Sequence, residues 1–275
     1  MPKPEKAYKN LDFLNSKAAR TMRILCEYEE PKARLAAAGV ENTIVMFGSA
    51  RIRSEEEAKS VLQEAEDALA NGSGTQVAVD TAQKRLQLSR YYTDTVELSR
   101  RLTAWSMERT GLDYHVCSGG GPGIMEAANR GASLVPGGKS VGLGISLPFE
   151  AGVNEFTPEE LAFEFHYFFM RKLWFLYLAK TVIVFPGGFG TLDEMFETLT
   201  LRQTGKIDRP LPTFLYGREF WDKCLNLDAM VEAGTISPGD PDLFTVVDSV
   251  DEAFALIVRE LEALEATPTP TPTEG

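Results

Sequence analysis

TVIVFPGGFGTLDEMFETLT, residues 181–200, decides how this chain folds. Its opening run, rich in Val and Ile, has the length and apolar continuity of a buried strand. Pro186-Gly187-Gly188-Phe189-Gly190-Thr191 then makes a turn, and a helical pattern follows with Glu194 expected in its first turn. Glycines let a backbone turn sharply and approach a ligand with no Cβ in the way. The helix start offers free N–H donors and the positive end of the helix dipole to a phosphate. Thr191 either caps this helix or gives its hydroxyl to that phosphate. A tight turn without a ligand is the plainer alternative, and the density of glycines argues against it.

Outward from this segment the same grammar repeats. Four other apolar runs end near Gly or Pro: residues 42–50 (NTIVMFGSA), 113–120 (DYHVCSGG), 140–148 (SVGLGISLP) and 211–217 (LPTFLYG). Helical patterns lie between and after them, at 124–134, 158–178, 192–204 and 250–264. Such alternation predicts an α/β fold, a Rossmann-like doubly wound parallel sheet with helices on both faces. Ligands bind beyond the C-terminal strand ends of such sheets, so Gly48, Gly119 and Gly187 are expected to cluster there. Residues 1–40 read as an N-terminal helical segment and 41–265 as one Rossmann-like domain. The Pro-rich stretch 266–275 reads as a disordered, solvated tail. One crossover is oversized: residues 54–110 predict an inserted helical hairpin. It comprises an acidic helix at 55–70, a turn at Asn71-Gly72-Ser73-Gly74 and a long helix at about 77–109, serving as a cap or an oligomer surface.

A second glycine turn stands in HVCSGGGPGIMEAANRGA, residues 115–132, with Gly119, Gly120, Gly121 and Gly123 between a strand and a helix. Its spacing is not that of a dinucleotide fingerprint. The next strand also lacks the acidic end that a ribose diol would need. Two separate turns suit a mononucleotide, and Gly48-Ser49 adds a third close approach. In FEFHYFFMRKLWFLYL, residues 163–178, the aromatics are core packing or a wall for a base. Arg171-Lys172 sits among them, where burying charge is costly without an anion or a salt-bridge partner.

Composition narrows the partners. A net charge of −12 argues against a nucleic-acid surface and means that any phosphate site is a local arrangement. No stretch is apolar enough to span a bilayer, and MPKPEKAYKN lacks the apolar core of a secretory signal. Cys26, Cys117 and Cys224 are far apart, as expected of reduced thiols in a cytoplasmic protein. His115 and His166 share no metal-ligand spacing, so neither a metal nor a cofactor is expected.

Three stretches together resemble the Lonely Guy family of phosphoribohydrolases, long labelled lysine decarboxylases, which release cytokinin bases from riboside 5′-monophosphates. They are Pro186-Gly187-Gly188-Phe189-Gly190-Thr191-Leu192-Asp193-Glu194, Met170-Arg171-Lys172, and Ser118-Gly119-Gly120-Gly121-Pro122-Gly123-Ile124-Met125. The resemblance covers roughly residues 41–247 and is to the longer bacterial members. It implies hydrolysis of the N-glycosidic bond of a purine nucleoside 5′-monophosphate, AMP or an N6-modified AMP. It places Arg171 and Glu194 as catalytic, and Met170, Lys172, Gly187, Gly188, Phe189, Gly190, Thr191, Leu192, Asp193 and Thr200 around the nucleotide, with Glu150 as a further contact. Ser49, Gly119, Gly120 and Gly121 join them from the turns. The chemistry agrees: positive charge builds on the ribose, and a carboxylate stabilises it or activates water. Arg171 would neutralise the phosphate or assist the leaving base. Nothing marks a pyridoxal-binding lysine. The rival function is a non-catalytic carrier of a nucleotide or of a pterin such as the molybdenum cofactor. The apolar surplus on the helices predicts a homo-oligomer, at least a dimer.

Overall fold

The computed structural model describes residues 4–109, 113–147 and 152–266. Seven strands form one all-parallel sheet in the order β4-β3-β2-β1-β5-β6-β7. They are β1 (Asn42–Phe47), β2 (Tyr114–Ser118), β3 (Ser140–Ile145), β4 (Ala162–Phe165), β5 (Ala179–Val184), β6 (Thr213–Tyr216) and β7 (Thr245–Val247). The order turns back between β1 and β5, which pair directly, Val45 beside Val182 and Phe47 beside Val184. This is the switch point at which α/β sheets leave a crevice beyond their strand ends. Because β2, β1 and β5 are parallel neighbours, the turns at Gly48, Gly119 and Gly187 open side by side at one edge.

Both faces of the sheet are covered, as the continuous apolar strands require. Along β1, Ile44 and Met46 enter one core, and Val45 and Phe47 the other. The first core is closed by α4 (Gln76–Met107), α5 (Ile124–Ser133) and α10 (Val250–Ala266), and the second by α2 (Arg20–Ala37), α6 (Phe168–Tyr177) and α7 (Phe189–Gln203). The hairpin of the β1–β2 crossover is present: α3 (Glu55–Ala70), capped by the Ser54 side chain, returns through 71–75 into α4. Its long helix also covers the sheet, burying Leu98 and Leu102, and α3 packs on the outside of it.

The helical expectation for 158–178 fails over its first half, since α6 begins only at Phe168. Residues 162–165 are the edge strand β4, paired to β3, with Phe163 and Phe165 buried and Glu164 between them exposed. That alternation is the strand period, hidden because the aromatic run continues into α6. The three-residue β7 is likewise an addition. The N-terminal stretch 8–38 is broken into short turns before the regular α2 begins.

α2 contains Pro31, which cannot donate to the Glu27 carbonyl four residues earlier. That carbonyl instead accepts a 3.0 Å hydrogen bond from the Trp174 indole of α6. The Glu27 carboxylate accepts from the backbone N–H of His166 and Tyr167, at 2.8 and 3.1 Å. An N-terminal helix thus anchors the two residues that lead into the helix carrying Arg171.

Candidate active site

A cleft of about 600 Å³ opens at the switch point. Its walls are the turn after β1, the turn into α7, Met125 of α5, and Phe168 and Arg171 of α6. Of the residues that the sequence marks, Ser49, Arg171, Gly188, Phe189, Gly190, Thr191, Leu192, Asp193 and Glu194 line it.

Arg171 and Glu194 meet within it. The Arg171 guanidinium is largely buried, its Nε donating to the Leu143 carbonyl at 2.7 Å and its Nη1 lying 3.6 Å from Glu194 Oε1. The Phe175 ring lies 5.0 Å beneath it. Gly119 makes room for this side chain: a Cβ there would sit 2.5 Å from Arg171 Nη2 and from the Met125 sulfur. Glu194 is mostly buried, and burial raises its pKa to about 7, with Arg171 pulling the other way. A carboxyl group poised between its two forms near neutral pH suits proton transfer.

Gly119 offers a clean separation of site from fold. The atoms that an added methyl would meet are ends of flexible side chains, and the Gly119 backbone is not in the left-handed region. Gly119→Ala should therefore melt close to the parent while displacing Arg171. We expect at least a tenfold loss of activity, about 1.4 kcal/mol of barrier, with a melting temperature lowered by only a few degrees, checked by calorimetry beside an activity assay.

Several expectations are corrected in detail. α7 begins at Phe189 with Gly188 as its N-cap, so Glu194 lies in the second turn and not the first. Thr191 is the third helical residue and does not cap; its side chain is buried in the space that the missing Cβ of Gly187 leaves. Lys172 points away from the cleft, into a groove between α6 and α7, and pairs with Asp193 at 2.8 Å and Glu197 at 3.2 Å. Burial alone would lower its pKa, but the two carboxylates outweigh that and raise it. Met170 is packed in the core, and Thr200 is exposed further along α7, outside the cleft lining. Gly120 and Gly121 are outside the cleft lining, and Asn154 Nδ2 donates to both of their carbonyls, at 2.9 and 3.2 Å. Glu150 lies outside the described residues.

Met125, the last residue of the second glycine motif, also lines the cleft, as do Ala50, Arg51, Ile145, Leu147 and Phe168, which sequence reasoning does not single out. Arg51 had a signal: it directly follows the Gly48-Ser49-Ala50 turn of the strand at the switch point. Gly188 and Gly190 carry a further clue. Neither has positive φ, and a Cβ on either would meet nothing within 4 Å. The fold does not demand glycine there, and their bare backbone leaves the start of α7 open to the cleft. Among the described residues no group of His, Cys, Asp and Glu is placed to hold a metal ion, and no helix is long and apolar enough to cross a membrane.

Residues 125–257, which include Arg171 and Glu194, match a family model described as possible lysine decarboxylase. The cytokinin riboside 5′-monophosphate phosphoribohydrolase of Mycobacterium tuberculosis (strain ATCC 25618 / H37Rv) is 33% identical over 76 residues, 28% of this chain and 41% of that protein. The match thus spans less than half of that relative's length. Among solved structures, the molybdenum cofactor binding protein from the phototrophic bacterium Rippkaea orientalis aligns at a TM-score of 0.41 and 17% identity, over 62% of this chain and 86% of that one.

Proposed function

We propose that this chain, a relative of the Lonely Guy phosphoribohydrolases, hydrolyses the N-glycosidic bond of a purine nucleoside 5′-monophosphate, AMP or an N6-modified AMP. The observation that carries this is the Arg171–Glu194 pair inside a cleft that ends in the glycine-lined start of α7. The bond from the ribose C1′ to the base breaks while a water oxygen bonds to C1′, and the base leaves with a proton. Positive charge on the ribose is met by the Glu194 carboxylate, which also takes the water proton. Arg171 lies at the same point, so its fixed charge can favour departure of the base. A carrier that only holds an anion gains nothing from a buried carboxylate beside it, because that carboxylate weakens anion binding.

The lysine-decarboxylase description fits the residues less well. Pyridoxal chemistry needs an amine free to form a Schiff base. No lysine lines the cleft among the described residues, and Lys172 is held as a cation by two carboxylates. The test is a panel of nucleoside 5′-monophosphates with free base detected by chromatography. Release of adenine or an N6-modified adenine is expected, and a panel that yields no base from any member would overturn the proposal.

A homo-oligomer belongs to the same proposal. Phe169, Leu173 and Tyr177 stand 50%, 41% and 51% exposed along one side of α6. Such a stripe beside the site calls for a second copy to cover it. Light scattering at micromolar concentration should report at least a dimer; a monomer there would count against it.

A further inference from the structure

Two cations line the cleft among the described residues, Arg51 and Arg171, and they are held very differently. Arg171 is buried, with its Nε committed to the Leu143 carbonyl and Glu194 beside its Nη1. Arg51 is exposed, and its guanidinium makes no hydrogen bond or ion pair among the described residues. Its backbone is nonetheless rigidly placed. Ser49 donates its N–H to the Pro186 carbonyl at 3.1 Å and accepts from the Ile124 N–H at 3.1 Å. The Arg51 N–H donates to Ser49 Oγ at 3.1 Å, and Ile52 is buried. Gly123, at φ +73°, lies so close beneath this turn that a Cβ would sit 2.8 Å from the Ala50 carbonyl carbon and 2.9 Å from the Ile52 oxygen. The turn is therefore locked onto the start of α5, and only the Arg51 side chain remains to be ordered.

We infer that Arg51 is the residue that fixes the phosphate monoester of the ligand, closing on it from β1 while the N–H groups at the start of α7 meet it from β5. This rests on the proposed nucleotide chemistry and divides its labour: Arg51 binds, and Arg171 works with Glu194 at the bond that breaks. The charges in the cleft agree. The Asp193 carboxylate is paired to Lys172 on its far side, so among the described residues a dianion entering the cleft faces Arg51 without a carboxylate tying that guanidinium down. On a chain of net charge −12 a site for a dianion needs such an uncommitted cation. A guanidinium also presents the paired donors that fit two phosphate oxygens.

The experiment titrates ribose 5-phosphate and AMP into the parent, Arg51→Ala and Arg51→Lys proteins by calorimetry, and follows base release from AMP in parallel. Arg51→Ala should weaken both ligands at least about tenfold, with Arg51→Lys between it and the parent. For AMP, kcat/KM should fall at least about tenfold in Arg51→Ala, carried chiefly by a raised KM. Because Arg51 is exposed and makes no side-chain bond among the described residues, both variants should fold, which circular dichroism checks. If Arg51→Ala binds ribose 5-phosphate as tightly as the parent, or loses kcat with KM unchanged, the assignment is overturned. A parent that binds ribose 5-phosphate through Arg51 yet releases no base from any nucleotide keeps the assignment and sinks the proposed activity. A parent that binds neither ligand removes both.

Discussion

Glu194→Gln should remove turnover while nucleotide binding survives. The substitution keeps the size of the side chain and one acceptor oxygen, but it removes both the negative charge that a ribosyl cation needs and the basicity that water activation needs. A positioned acid–base group contributes about 10²–10⁴-fold, so at least a hundredfold loss in kcat is expected. The cleft is otherwise unchanged, and losing a carboxylate near an anion can tighten binding. Calorimetry and chromatographic detection of base on the same preparation separate the two effects. A Gln variant that keeps more than about a tenth of the parent rate, one decade or ~1.4 kcal/mol of barrier, would take Glu194 out of the mechanism.

The raised pKa of Glu194 adds a signature in pH. In the parent, kcat/KM should climb as pH rises through about 7, because the acting form is the carboxylate. Stability should move the opposite way. The folded-state pKa is above the unfolded one, so folding favours the protonated form. That contribution is complete below about 4.5, the ordinary value, and is lost as pH rises through about 7. At 1.36 kcal/mol per pKa unit it amounts to roughly 3 kcal/mol. The Gln variant cannot titrate, so the fall in melting temperature over this range should be smaller in it than in the parent. Identical pH dependence in both proteins would mean that Glu194 is not the group that titrates.

The two glycine turns and their sheet edge are legible in the sequence because three local signals coincide there: continuous apolar strands, glycines and the onset of helical period. Their side-by-side placement follows once the sheet is parallel. What escapes is tertiary. β4 is invisible beneath an aromatic run that also serves α6, and only its pairing to β3 separates Phe163-Glu164-Phe165 from the helix. Which way Lys172 points depends on where Asp193 and Glu197 of α7 fall, a relation between two helices that adjacency to Arg171 does not reveal. Arg51 has only a weak signal, its place directly after the Gly48-Ser49-Ala50 turn. An exposed arginine after a turn is unremarkable until the structure shows it lining the same cleft as Glu194. The role of Glu27, holding the backbone just before α6 from 140 residues away, has no local signal at all.

AMP should be cleaved at least a hundredfold more efficiently than adenosine. Both substrates carry the same base and the same C1′–N bond, so any difference measures what the 5′-phosphate gains in the cleft. The structure offers it two sources of donors, the Arg51 guanidinium and the backbone N–H groups around Gly188 and Gly190, where no Cβ intrudes. Hydrogen bonds to a charged group contribute about 1.5–3 kcal/mol each. Two retained in the transition state supply more than the roughly 2.7 kcal/mol that a hundredfold requires. Adenosine leaves these donors to water and forfeits that binding without altering Glu194 or Arg171. The loss should fall in kcat/KM, and it should shrink markedly in Arg51→Ala, since a protein that has lost its phosphate anchor has less to discriminate with. Added ribose 5-phosphate should compete with AMP in the parent. Measuring kcat/KM for both substrates on parent and Arg51→Ala proteins tests all of this at once, and equal rates on nucleoside and nucleotide in the parent would refute a phosphate site at the start of α7.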